Sequence, residues 1–147
     1  MSHPKIKNIF IQGPISPSFI MESIQKHSTK TDIGAHNIFL GQIRADEKEG
    51  HQVTAIQYTA YEEMALEKMS NIREDIFAKY PLTCLHVYHS LGLVPTGEIC
   101  LFVFTSAVHR KEAIDACEEL VERIKVELPI WGEEIIDNGS QTWKINK

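Results

Sequence analysis

Residues 97–129 read GEICLFVFTSAVHRKEAIDACEELVERIKVELP, and a change of period inside this stretch decides the fold. Up to Ala107 the side chains alternate: Ile99, Leu101, Val103 and Thr105 fall on one face of a strand, Cys100, Phe102, Phe104 and Ser106 on the other. Both faces are mostly apolar, as a central strand covered on its two sides requires. From His109 the spacing lengthens to three and four. Ala113, Ile114, Cys117, Leu120, Val121, Ile124 and Leu128 form one stripe of a helix over 109–128, and Pro129 ends it.

Working outward, a short strand over 130–136 follows the proline. Upstream, 82–89 reads as a strand, and before it Tyr61, Met64, Ala65, Met69, Ile72, Ile76 and Tyr80 mark an amphipathic helix stopped by Pro81. A strand over 33–44, interrupted at Gly34 and Gly41, a charged turn over 46–50 and a strand over 53–58 suggest a hairpin-like pair. Near the start, residues 6–12 form a short strand stopped by Gly13-Pro14. Ser16-Pro17 then fits an N-cap with proline in the first helical turn, opening a helix to about His27. The expected order is β-α-β-β-α-β-β-α-β: an α+β fold with mixed or antiparallel sheets and two long amphipathic helices. No repeat, low-complexity tract or linker divides residues 1–147, so a single domain is expected.

Composition narrows the function. A formal net charge of −5 argues against a nucleic-acid surface, which needs clustered cations in excess. A local cation cluster for a small anion stays open. The longest nearly uncharged apolar run, 99–108, is far short of the roughly 20 residues that span a bilayer. Residues 1–7 are polar and run straight into Ile9, Phe10 and Ile11, unlike a signal peptide. Cys84, Cys100 and Cys117 lie in apolar runs with no CxxC pair, which suits buried free thiols in a reducing compartment, the cytoplasm by default.

Chemistry-bearing positions are few. Lys125 lies about 80° round from the centre of its helix stripe, on the shoulder, where its stem can rest on apolar surface and its ammonium meet a cleft; a snorkelling surface lysine looks the same. His109-Arg110 stands where a strand hands over to a helix N-terminus, a place that favours anions, although a polar pair simply opening a helix also fits. Arg44 closes a strand. His86 and His89, an odd number apart on a strand, point to opposite faces and make poor co-ligands. His3, His27, His36 and His51 show no ligand spacing, and no metal or phosphate-loop motif is present.

Taken together, these segments resemble the large subunit of molybdopterin synthase over most of the chain. Gly34-Ala35 followed by Phe39-Leu40-Gly41-Gln42-Ile43-Arg44 looks like that family's GA…FxGxVR strand, with Gly50 and Val53 after it. Tyr58, Tyr61, Met64 and Ala65 resemble its helix start; His89, Gly92, Leu93, Gly97 and Glu98 fit its next conserved stretch. Ser106 to Ala113 fits SxxHRxxA, and Lys125 to Trp131 fits KxxxPIW. The five matches come in the family's order.

The resemblance implies the family's α/β-hammerhead fold and an enzyme of molybdenum cofactor biosynthesis that needs no cofactor or metal of its own. Such an enzyme moves two sulfurs, in successive rounds, from a small ubiquitin-like carrier to cyclic pyranopterin monophosphate. The carrier's C-terminal Gly-Gly thiocarboxylate enters a pocket drawing on both halves of a large-subunit homodimer, with one carrier on each, a heterotetramer. Carried over by motif, Lys125 is the catalytic lysine, and Gln42, Ile43, Arg44, His109 and Arg110 bind substrate with it. Gly132, Glu133 and Glu134 follow in the same site, and Phe39 is a candidate pocket wall. Other readings are a non-catalytic partner of the carrier or a pterin phosphate-binding module.

Two positions depart from the pattern. Gly132 stands where the family usually has a second lysine, and Ser90 where it has an arginine. Either the pocket works with fewer cations, or Lys144 substitutes, or the chain is a weakened relative. The first of these is the expectation, so Gly132→Lys is expected to leave activity equal or higher.

Overall fold

The computed structural model describes residues 7–144. Residue 6, where the first expected strand begins, and His3 lie outside the described residues, as does most of the polar N-terminal stretch. The elements run β1 (Phe10–Gln12), α1 (Pro17–Lys26), β2 (Ala35–Gln42), β3 (Glu47–Lys48), β4 (His51–Ala60), α2 (Glu62–Lys79), β5 (Leu82–Pro95), β6 (Ile99–Ala107), α3 (Arg110–Glu127), β7 (Ile130–Ile136) and β8 (Gln141–Trp143). The α+β reading holds, with two strands more than the sequence pattern suggested. The strands form one sheet in the order β2-β6-β5-β4-β7-β8, antiparallel along this path. β1 joins β5 in parallel and β3 joins β4.

β6 is central and buried along nearly its whole length. Its alternation sorts the two sides of the sheet. Leu101 and Val103 join Met69, Ile72 and Ile76 of α2 and Cys117, Leu120 and Ile124 of α3 in the main core. Phe102 and Phe104 point the other way and meet Ile15, Phe19 and Ile20 around α1. Ser16 caps α1 as its sequence suggested, its Oγ accepting from Phe19 N–H at 3.1 Å. All three cysteines are free and buried.

The hairpin expected between 33–44 and 53–58 does not form. β2 pairs with β6, from Ala35 opposite Ala107 to Gln42 opposite Ile99, while β4 lies between β5 and β7. The charged turn instead belongs to the β3–β4 hairpin, where Lys48 faces His51 and the two residues between them, Glu49 and Gly50, both take positive φ. A two-residue hairpin turn needs that geometry, so the local turn signal is real but its strands are different.

Two glycines fix the ends of β2. A side chain at Gly34 would bring its Cβ to 2.0 Å from the Val108 carbonyl oxygen, so only glycine lets the chain pass the β6–α3 junction. At the other end the register shifts between Gly41 and Gln42, a bulge that stands at the mouth of the site described next.

Candidate active site

Lys125 is in the last turn of α3 and exposed, at the meeting point of two hollows. The smaller, about 90 Å³, is floored by Tyr58, His89, Cys100, Leu101 and Gly132. The larger, about 580 Å³, is walled by Phe39, Leu40, Arg44, Asp46, Lys48, Glu134 and Trp143. Gly41, Gln42, Lys125 and Lys144 line both. Within one chain the Lys125 ammonium is open to water.

Carboxylates temper the cations. Arg44, with 76% of its side chain exposed, reaches Asp46 at 3.3 Å, and Lys48 lies 3.5 Å from the buried Glu134. The larger cleft still carries four cations against two carboxylates, so an overall acidic chain presents a locally positive hollow.

The floor of the smaller cavity is neutral. His89 is buried, and its Nδ1 donates to the Ser90 carbonyl at 2.7 Å, which leaves Nε2 as the acceptor nitrogen. Burial pushes its pKa down to about 4, and the nearby Lys125 charge acts in the same direction. Tyr58 stands edge-on to it with ring centroids 5.0 Å apart, its hydroxyl 3.6 Å from Cys100 Sγ. Burial first, then Cys100 and Glu134, raise the phenol's pKa, so both rings stay uncharged near neutral pH.

The other residues singled out by sequence are placed as follows. Ile43 is 1% exposed in the core, and both its backbone groups are used, N–H to Glu98 and C=O to Gly97. Glu133 lies on the opposite face of β7 from Gly132 and Glu134 and lines neither hollow. Ser90 is fully buried with its hydroxyl unsatisfied, away from both hollows. At Gly132 an added Cβ would lie 2.9 Å from Ile56 Cγ2 and 3.1 Å from Tyr58 Cε1. Tyr58 packs over the space a side chain would take, which opposes the expectation that a lysine is tolerated there.

His109 and Arg110 are not at this site. They sit at the other end of α3, exposed, in a shallow cleft with Gly34, Ala35, Val108, Lys111 and Glu112. His109 is the N-cap but makes no side-chain cap bond. At about 1.5 Å per residue the helix separates His109 from Lys125 by roughly 24 Å. Lys125 and the His109–Arg110 pair therefore line separate clefts of one chain.

One cluster escaped the sequence reading. Ligand atoms of His27, Cys84 and His86 lie within 4.8 Å of one another, because the C-cap of α1 meets the α1-facing side of β5. Its surroundings oppose a metal ion. Lys7 Nζ donates to His86 Nδ1 at 3.0 Å and Lys30 Nζ to Cys84 Sγ at 2.9 Å. Burial, then Lys7, His27, Arg73 and Lys30, lower the His86 pKa to about 4. One ammonium stands behind His86, where a bound ion needs an acceptor, and the other contacts the Cys84 sulfur itself. A more apolar hollow of about 410 Å³ between α2 and the sheet includes neither Lys125 nor Arg44.

Comparison with known proteins gives consistent results. The family model described as MoaE protein matches residues 12–127. The molybdopterin synthase catalytic subunit of Pyrococcus abyssi is 36% identical over 111 residues, covering 76% of this chain and 74% of that protein. The crystal structure of molybdopterin synthase from Staphylococcus aureus superposes with a TM-score of 0.82 at 30% identity, covering 98% of this chain and all of the other. A complex of subunits 1 and 2 of the molybdopterin-converting factor from Helicobacter pylori shares the fold, with a TM-score of 0.78 at 21% identity, over 94% of this chain and 90% of that one.

Proposed function

This chain belongs to the MoaE protein family, and we propose that it is the catalytic large subunit of a molybdopterin synthase. In this reading it transfers two sulfurs from a thiocarboxylated ubiquitin-like carrier to cyclic pyranopterin monophosphate, building the dithiolene of molybdopterin. The observation that carries the reading is Lys125 at the junction of a small cavity with an uncharged floor and a larger cationic cleft.

Each part of that geometry has a use. The smaller cavity is narrow, with uncharged Tyr58 and His89 at its floor, and suits an uncharged ring or an extended Gly-Gly tail. Arg44 offers planar donors to a phosphate at the cleft wall. Lys125, between them, can donate a proton to the oxygen that leaves as sulfur arrives. Gln42 lines both hollows and can orient either partner.

His109 and Arg110 serve the same site only if a second copy brings its own α3 N-terminus to the first copy's Lys125. A homodimer that closes two such composite sites, with one carrier docked on each chain, supplies the missing half and screens Lys125 from water. Three buried free thiols support work in the reducing cytoplasm. Among the described residues no helix is long and apolar enough to cross a membrane.

The test is to incubate the protein with thiocarboxylated carrier and cyclic pyranopterin monophosphate and to weigh the carrier by mass spectrometry. The expected result is carrier returned as carboxylate together with dithiolene product. A carrier that is bound but unchanged would make the chain a docking partner, and a carrier that is ignored would leave only a pterin phosphate-binding module.

A further inference from the structure

We infer that Lys144, just beyond β8, is a second lysine of the substrate site, holding the substrate's phosphate jointly with Lys125. The inference rests on the reading above and adds a residue to it from a strand that carries no sequence motif.

Position is the first argument. Of the residues around the two hollows, only Gly41, Gln42, Lys125 and Lys144 line both, and the lysines are the charged members. An anion at the junction would have both lysines among its neighbours. The backbone fixes one of the two walls: β8 pairs with β7 through Glu134 opposite Thr142 and Glu133 opposite Trp143. Lys144 N–H continues that ladder, donating to the Gly132 carbonyl at 2.8 Å. Lys144 is half-buried rather than waving in solvent.

Sterics are the second argument. β7 runs along the cleft but can present a cation at position 132 only by displacing Ile56 or the Tyr58 ring, on which a Cβ there would press. The side chain that approaches from this side therefore comes from the neighbouring strand, one hydrogen bond away. Glycine at 132 and lysine at 144 are two parts of one arrangement: the first keeps Tyr58 packed over the cavity floor, the second restores positive charge above it.

Electrostatics are the third. Of the cleft's four cations, Arg44 and Lys48 each stand beside a carboxylate, Asp46 and Glu134. The charge that exceeds those two carboxylates is what draws an anion inward, and Lys144 supplies part of it.

The experiment compares Lys144→Gln and Lys144→Arg with the parent in the reconstituted synthase. Because β8 is held through the Lys144 backbone, both variants should keep the parent's melting temperature. Lys144→Gln is expected to raise KM for the cyclic pterin phosphate about tenfold, as loss of a charge-assisted contact does, with kcat changed far less; Lys144→Arg should restore most of the loss. Inorganic phosphate, as a competitor and as a calorimetric ligand of the chain, should weaken in parallel. Unchanged KM and unchanged phosphate affinity in Lys144→Gln would overturn the inference. Turnover by the parent is the separate check on the proposed function. If the parent does not turn over, phosphate affinity still decides: a loss confined to Lys144→Gln supports the anion site, and no difference, or no binding by the parent, overturns it.

Discussion

Thr105 Oγ1 donates to the Ala113 carbonyl at 2.7 Å, joining the end of the central strand to the first turn of α3. Thr105 is fully buried, so the bond is made where water cannot substitute. Thr105→Val keeps the shape and removes the donor. A loss of about 1–2 kcal/mol is expected, measured by urea denaturation. A variant as stable as the parent would show that the strand–helix junction is held by packing alone.

Acid should unfold this protein earlier than its surface charges would suggest. His89 has a folded pKa of about 4 against an ordinary value of 6.5, because it is buried. A depressed histidine stays neutral in the folded chain while the unfolded chain takes up the proton, so its contribution is complete above about pH 6.5 and is lost as pH falls toward 4. That contribution is about 3 kcal/mol for His89, and His86 acts in the same direction. Calorimetry between pH 7 and 4.5 should show a falling melting temperature, with a shallower fall in His89→Gln. A level profile would contradict this account.

Gly132→Lys should not improve the enzyme. The added Cβ must displace Ile56 or Tyr58, and overpacking of this kind costs about 1–3 kcal/mol. Moving Tyr58 would also disturb the cavity floor. The expected result is a less stable protein with equal or lower turnover; a rise in turnover at unchanged stability would favour the simpler view that this position merely lacks a charge.

Lys125→Ala and Arg110→Ala should each abolish turnover, yet recover some when mixed. If each composite site takes Lys125 from one chain and Arg110 from the other, a mixed dimer has one intact site. With random exchange about a quarter of parental activity returns. No recovery after confirmed subunit exchange would place both roles within one chain and defeat the two-copy site.

The sequence made local periodicity legible and long-range pairing illegible. β7 begins and ends at Ile130 and Ile136, as read from the pattern after Pro129, and the long helices differ from expectation by a residue or two at their ends. β2 pairs with β6 rather than β4 because a turn signal at Glu49-Gly50 says that a hairpin is near, not which strand enters it. β8 left no signal: Gln141, Thr142 and Trp143 are exposed and too few to show alternation. The site follows the same division. Phe39, Gln42, Arg44 and Lys125 share a hollow, while His109 and Arg110, adjacent to the same helix in sequence, stand a helix length away. Lys144 could be placed only once β7 and β8 were seen to pair.

In the proposed dimer, α3 has one further consequence. Each copy of this helix would end in two different reaction chambers, its His109 end in one and its Lys125 end in the other. A rod anchored at Thr105 and packed against the sheet does not stretch, so the two chambers would be held one helix length apart.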